Sequence, residues 1–151
     1  MLLWPDMDIM KGLYAAMLTS MLVLSGCLHE QPEIAETSTY YEADDAAGSA
    51  TSGTTDTLLR LRLSGRDSLS WTSTNIQLSV GDTVYHCSLS GADPCQISAQ
   101  DGGDGNAWEP GESIFLSENG TDICTEPACT VVISVVYDGD QLTGDSPIIV
   151  N

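Results

Sequence analysis

Apolar and polar residues alternate with period two through much of the chain after residue 57. The stretch TLLRLRL (57–63) sets Leu59, Leu61 and Leu63 on one face and Arg60 and Arg62 on the other, the pattern of a half-buried β-strand. NIQLSV (75–80) turns Ile76, Leu78 and Val80 inward and Gln77 and Ser79 outward. TVYHCSL (83–89) alternates Val84, His86 and Ser88 against Tyr85, Cys87 and Leu89. A short strand, SIFLS (113–117), follows Gly111, and PIIV (147–150) closes the chain. TVVISVVYD (130–138) is apolar almost throughout, as expected of a central strand covered on both faces.

Turn residues separate these runs. Gly81-Asp82 suits a two-residue hairpin, and Asn119-Gly120 and Asp138-Gly139 tolerate positive φ. No helical stripe follows residue 57. Six or seven short strands in the 95 residues 57–151 predict an all-β fold, an Ig-like antiparallel β-sandwich of about seven short strands. Trp71 and Trp108 are expected in the core or at a sheet edge.

The other half of the chain has a different pattern. Lys11 precedes GLYAAMLTSMLVLSGCL (12–28), 17 residues without a charge, at the short limit for a membrane-spanning helix. A basic residue, an apolar core and small residues before a cut match a secretory signal better. The run ends in Leu24-Ser25-Gly26-Cys27, which resembles the lipobox of lipoproteins. In that family the signal is cut before the cysteine, whose thiol is then lipidated, and the resemblance assigns that role to Cys27. Asp6 and Asp8 make the leading nine residues acidic, which a start at Met10 would explain. Two other readings are an uncleaved anchor and a prepilin-type cut after Gly12. The acidic residue usual shortly after a prepilin cut is missing from LYAAMLT. One acyl chain binds membranes reversibly, with an association constant on the order of 10^4 M⁻¹, so stable anchoring takes a second chain or signal.

Residues 28–56 are rich in Ser, Thr, Ala, Gly and acids, and no base occurs between Cys27 and Arg60. Sparse apolar residues and one-sided charge predict a disordered tether, reaching roughly 30 Å as a flexible coil. The expected organisation is a signal peptide over 1–26, a lipidated acidic tether over 27–56 and a β-sandwich domain over 57–151.

Charge narrows the partners. The chain carries 22 acids against four bases, a net of −18; after Cys27 there are three arginines and 20 acids, a net of −17. Such a surface repels phosphate backbones and excludes nucleic acid as a partner class. The acids are spread along the whole chain, as on a solvated or salt-adapted extracellular surface.

Setting Cys27 aside leaves Cys87, Cys95, Cys124 and Cys129, for which three disulfide pairings exist. The local pairing, Cys87–Cys95 with Cys124–Cys129, is the expectation, with CTEPAC as a hairpin loop cross-linked at its base. Loops this short gain about 2–3 kcal/mol each in the chain-entropy model. A four-cysteine zinc site is the rival, and intervening segments of seven and four residues suit it poorly. Disulfides would place the chain in an oxidising compartment.

Three further features carry candidate chemistry. DGGDGNAWEPGE (101–112) offers Asp101, Asp104, Asn106, Glu109 and Glu112 as oxygen donors to Ca²⁺, but the EF-hand spacing fails at Gly103 and Gly105. An acidic surface loop is the expectation, with the Ca²⁺ site as the alternative, and no other cofactor is expected. Asn119-Gly120-Thr121 is an N-x-T sequon, equally accounted for as a plain turn. His86 is the one histidine after residue 57, in mid-strand, and there is no Gly-x-Ser-x-Gly elbow or phosphate loop. Catalysis is not expected.

The domain also resembles the β-domain of archaeal type IV pilin-like and archaellin-like proteins over roughly residues 58–150. LLRLRLSGRDSLSWTSTNIQLSV looks like their opening strand pair, WEPGESIFLSENG like their Trp, Gly-acid and aliphatic strand, and VVISVVYDGDQL like their last long strand and hairpin. Arg66 stands where a small turn residue is usual, two cysteine pairs are added, and a lipobox-like end replaces the filament helix. The resemblance implies an Ig-like sandwich at an archaeal cell surface and does not carry polymerisation with it.

The combined expectation is a non-catalytic, lipid-anchored extracytoplasmic surface or envelope interaction module. Its partners would be the membrane, through the lipid, and a cell-surface protein. A minor pilin-like subunit cut after Gly12, joining a pilus assembly, and a calcium-binding surface domain are the alternatives.

Overall fold

The computed structural model describes residues 39–99 and 105–151; residues 1–38 and 100–104 lie outside the described residues. Eleven strands follow in chain order: β1 (Tyr41–Asp45), β2 (Thr57–Leu63), β3 (Leu69–Ser70), β4 (Thr74–Val80), β5 (Thr83–Ser88), β6 (Cys95–Ala99), β7 (Ala107–Trp108), β8 (Ser113–Glu118), β9 (Cys129–Tyr137), β10 (Asp140–Leu142) and β11 (Ile148–Val150). The class is all-β, as the alternation predicts. The strands beyond the six read from the sequence, β1, β3, β6, β7 and β10, have five residues or fewer, too few for period two to stand out.

Nine strands form one mixed sheet in the order β1-β2-β8-β6-β5-β4-β9-β10, with β11 also paired to β9; β3 and β7 make a separate two-stranded ribbon. The sheet has two halves, β1-β2-β8-β6 and β5-β4-β9 with β10 and β11. Their inner faces share one core. Leu59, Leu61, Leu63, Ile114, Leu116 and Ile97 come from the first half, and Ile76, Leu78, Val131, Ile133 and Val135 from the second.

The joint between the halves is the one parallel pairing. Only Cys87↔Cys95 and Ser88↔Gln96 face each other there. A parallel neighbour ordinarily needs a crossover of a dozen or more residues. Here six suffice, because β6 starts where β5 ends and the chain sidesteps into the other half instead of running back. Such a switch is a recognised way for strands to turn a sheet corner.

The far ends of the sheet also approach each other. Tyr40 N–H donates to Thr143 O (2.7 Å), Asp145 N–H to Tyr41 O (3.3 Å) and Ala50 N–H to Asn151 O (2.7 Å), and Tyr41 bridges Gly144. The Tyr41 side chain is 1% exposed and lies flat on the Gly144 backbone, where a Cβ would overlap the ring.

Strand pairing therefore begins at Tyr41 and not at Thr57, inside the segment expected to be a disordered tether; residues 27–38 of that segment lie outside the described residues. Tyr41 and Ala43 face the core, while Glu42 and Asp44 stand opposite Arg62 and Arg60. Two of the acids that made the segment look solvated, Glu42 and Asp44, are thus cross-strand partners of the arginines. Asp44 and Arg60 make the ion pair directly.

The two-residue turns form as expected. Gly81-Asp82 links Val80 to Thr83 with Gly81 at φ 57°, and Asp138-Gly139 links β9 to β10 with φ 50° and 92°. The apolar run of β9 departs from expectation. Only its Val131, Ile133 and Val135 face is buried, and Val132 on the other face is 47% exposed.

Two outcomes follow from the closure. Gly144→Ala is expected to destabilise the fold by about 2–3 kcal/mol through overpacking, whereas Gly48→Ala, with open space at its Cβ, should stay within about 0.5 kcal/mol; denaturant titration with the disulfides intact measures both. Burial, and secondarily the Asp145 carboxylate, push the Tyr41 phenol above its ordinary 10.0. A phenol raised on folding contributes stability that is complete below pH 10 and is lost as pH climbs through the folded value. The melting temperature should therefore fall above pH 10, and Tyr41→Phe should flatten that fall.

Candidate functional site

The most heavily organised part of the surface is a cluster of three loops at one end of the sheet, built on the last residue of β8 and the two that follow. Alternation along β8 turns Ile114, Leu116 and Glu118 inward. A carboxylate thus occupies a core position and is 3% exposed. Backbone N–H groups satisfy it. Oε1 accepts from Ile123 (2.8 Å) and Cys124 (2.9 Å), and Oε2 accepts a longer bond from Asp56 (3.4 Å). Donors aimed at a buried carboxylate offset the loss of its water.

Asn119 extends the same arrangement. Its side-chain Nδ2 donates to Gly91 O (2.7 Å) and Asp93 O (2.9 Å), and its backbone N–H donates to Pro94 O (2.8 Å). Gly120 N–H donates to Thr54 O (3.0 Å) at φ 73°. Three consecutive residues thereby hold the 89–94, 121–124 and 54–56 segments together.

Both disulfides lie here, in the local pairing: Cys87–Cys95 and Cys124–Cys129. Cys87–Cys95 closes the connection from β5 to β6, which carries the chain from one half of the sheet to the other, and Cys124–Cys129 closes the last part of the crossing from β8 to β9. Cys124 is buried in the loop and only Cys129 lies on a strand. CTEPAC is consequently a pinned crossover and not the hairpin expected from its spacing, with Ala128 at φ 67° just before β9. Two disulfides in a chain of 151 residues mark an oxidising, extracytoplasmic folding environment.

The remaining candidates fall elsewhere. The lipidation candidate Cys27 and the metal candidates Asp101 and Asp104 lie outside the described residues. Of the other proposed calcium donors, Glu109 and Glu112 build a turn. Glu112 N–H donates to Glu109 O (2.9 Å), with Pro110 and Gly111 (φ 84°) as the central residues of a type II geometry. A Glu112 carboxylate oxygen accepts from Glu109 N–H (2.9 Å). Asn106 O accepts from Trp71 N–H across the β3–β7 ribbon. Among the described residues, no three His, Cys, Asp or Glu side chains come together in a way that could hold a metal.

The loop also seats the tryptophans. Trp108 is fully buried, its Nε1–H donates to Glu112 O (3.0 Å), and Trp71 stacks on it with ring centroids 6.2 Å apart. At the sequon, a sugar bonded to Asn119 Nδ2 would leave one N–H for two carbonyls that now receive one each. His86 is exposed on β5 beside Gln77 (Nε2 to Nδ1, 3.4 Å), with no acid on the strand positions facing it. One surface groove, of about 340 Å³, is lined by Thr39, Tyr40, Ser64, Gly65, Arg66 and Asp67.

Sequence reasoning did not single out Glu118. Its one signal was position: an acid on the inward parity of an otherwise apolar strand face, directly before Asn-Gly. Among the described residues, no helix is long and apolar enough to cross a membrane. No protein-family model matches the chain, and no curated protein matches it either.

The loop cluster makes a direct prediction. Glu118→Ala leaves buried N–H groups without an acceptor and should cost about 2–4 kcal/mol. Glu118→Gln keeps one acceptor oxygen and should cost about half as much or less. Hydrogen exchange at the Ile123 and Cys124 amides, followed with denaturant titration, should accelerate most in the alanine variant.

Proposed function

We propose that this chain is a lipid-anchored extracytoplasmic module of a cell surface or envelope, which acts by binding and not by catalysis. The observation that carries the reading is the distribution of the cysteines. Four of the five are joined to one another in two disulfides, which leaves Cys27 as the remaining cysteine of the sequence. It stands directly after Leu24-Ser25-Gly26 at the end of the apolar run. A chain that oxidises its other cysteines outside the cytoplasm has a distinct use for a fifth, and thioether formation at a new N-terminus is the chemistry that its context resembles.

The short loops support a binding role in place of a reactive one. Among the described residues their buried carboxylate accepts from backbone N–H groups alone, and their cysteines are covalently paired. Rigid, cross-linked loops on a β scaffold present a fixed surface. The acidic exterior keeps such a module soluble and off phosphate-bearing partners.

A minor pilin-like subunit is the second reading, favoured by the likeness of the β2–β4, β7–β8 and β9–β10 sequences to archaeal pilin-like domains. Both readings place the domain outside the membrane and differ at the N-terminus.

Intact mass and N-terminal peptide mapping of protein extracted from its own membranes separate them. The expected result is a chain starting at Cys27 with an acyl-sized mass added, and release of Cys27→Ser protein from the membrane fraction. An unmodified chain starting at Leu13 would establish the pilin-like reading instead, and a retained 1–26 segment would exclude both.

A further inference from the structure

The outer face of the β5-β4-β9 half gathers most of the exposed large apolar side chains of the described residues and no charged one. The register sets Val84, Ser79 and Val132 in one row across β5, β4 and β9, and His86 opposite Gln77 in another. Ile149 of β11 stands beside Thr130 of β9 on the same face. Val84, Val132 and Ile149 are 52%, 47% and 57% exposed, three of the five exposed large apolar side chains among the described residues. The outward positions of these strands hold no acid, lysine or arginine. The opposite half carries Glu42, Asp44, Arg60 and Arg62 on its outer face. In a chain with 20 acids after Cys27, the outward positions of β6 (Gln96, Ser98) and β8 (Ser113, Phe115, Ser117) are uncharged as well, and it is the three exposed aliphatic side chains that set the β5-β4-β9 face apart. The same face explains why β9 carries valines on both sides.

We propose that this face docks a second copy of the same chain, sheet against sheet, about a two-fold axis passing near Ser79 and Val132. Charge selects the occupant. Two copies with a net of −17 each after Cys27 repel wherever their acids meet, and the encounter with least repulsion brings the two uncharged faces together. A basic partner is drawn to the acids elsewhere and gains nothing from this face. A two-fold contact requires a self-complementary patch, and Asn, Gln and Ser side chains, which both donate and accept, flank the valines to make one. Strand spacing and rise give about 400 Å² of planar face per copy, on the order of 800 Å² for the pair, the size of a weak and reversible contact. Holding copies on one surface raises the dimer population, but the docking face itself does not depend on the lipid.

Cross-linking from single added cysteines in the full-length chain, in the membranes of an expressing cell, tests this. Val132→Cys is placed near the axis, and Ser98→Cys, exposed on β6 of the opposite half, reports random collisions. After mild oxidation, Val132→Cys is expected to yield a disulfide-linked species of twice the chain mass, at least several-fold more than Ser98→Cys, with wild type as the background. Ser79→Glu or Gln77→Glu added to Val132→Cys places like charges across the axis and should remove the dimer; intact native disulfides by mass establish that each variant folds. Equal yields from Val132→Cys and Ser98→Cys would overturn the proposal. So would a cross-linked species of any other mass, absence of a cross-link because another segment or partner covers the face, or a dimer that survives both glutamates.

Discussion

Both disulfide-closed connections that carry the chain between the halves of the sheet converge on the Glu118 carboxylate and the neighbouring Asn119 amide. The β5–β6 sidestep is held through the carbonyls of Gly91, Asp93 and Pro94, and the β8–β9 crossover through the N–H groups of Ile123 and Cys124. The two disulfides shorten these connections but do not orient them. A cystine leaves its loop free to swing about the bridge, whereas a buried carboxylate with fixed donors allows one arrangement. Covalent and polar constraints thus divide the work. The cystines restrict the unfolded chain at both crossings, and Glu118 and Asn119 hold the folded loops in place through their hydrogen bonds.

The remainder of the fold follows from having a single core served by one sheet. Such a sheet leaves two free edges, which invite pairing with other chains. Here the ends approach each other, with Tyr41 laid on Gly144 and the β1 side bonded to residues 143–151. Glycine at 144 is a packing requirement, since the ring occupies the space of a side chain. The acids of β1 play a second part. Glu42 and Asp44 meet the arginines of β2, so the strand that seals the edge is matched by charge as well as by its buried Tyr41 and Ala43.

The strands with six or more residues were legible because alternation persists long enough to be distinguished from chance, and the glycine-acid turns marked their ends. β1 was hidden by its own chemistry. Tyr-Glu-Ala-Asp-Asp lies in a run of acids, serines and threonines, and its strand character depends on Arg60 and Arg62, which follow well over a dozen residues later. The parallel joint was hidden because it needs only two paired residues. The local disulfides were inferred from spacing, yet the hairpin drawn around the second was wrong, since proximity of two cysteines says nothing about whether the intervening backbone is a ladder or a crossover. Glu118 was invisible for a related reason. Its partners are backbone N–H groups, which every residue has, so no pattern of side chains announces them. The acids of 109–112 were legible as an acidic loop, but not the turn they build, because a Pro-Gly pair between two glutamates suits a turn and a cation loop equally well.

The distribution of charge ties these observations to function. A net of −17 after Cys27 is far more than solubility requires of a small domain, and its physical effect is selective exclusion. It opposes approach to anionic surfaces, and it opposes contact between copies in every orientation that brings acids together. Repulsion of this kind confers specificity, because an interface is defined as much by the encounters that fail as by those that form. β9 shows where the exclusion is lifted. It keeps valines on both faces, the outer of which is exposed at Val132, and its neighbours replace acids with serine, asparagine and glutamine. The proposed contact between copies would draw its strength from these few apolar side chains and its geometry from the charges around them.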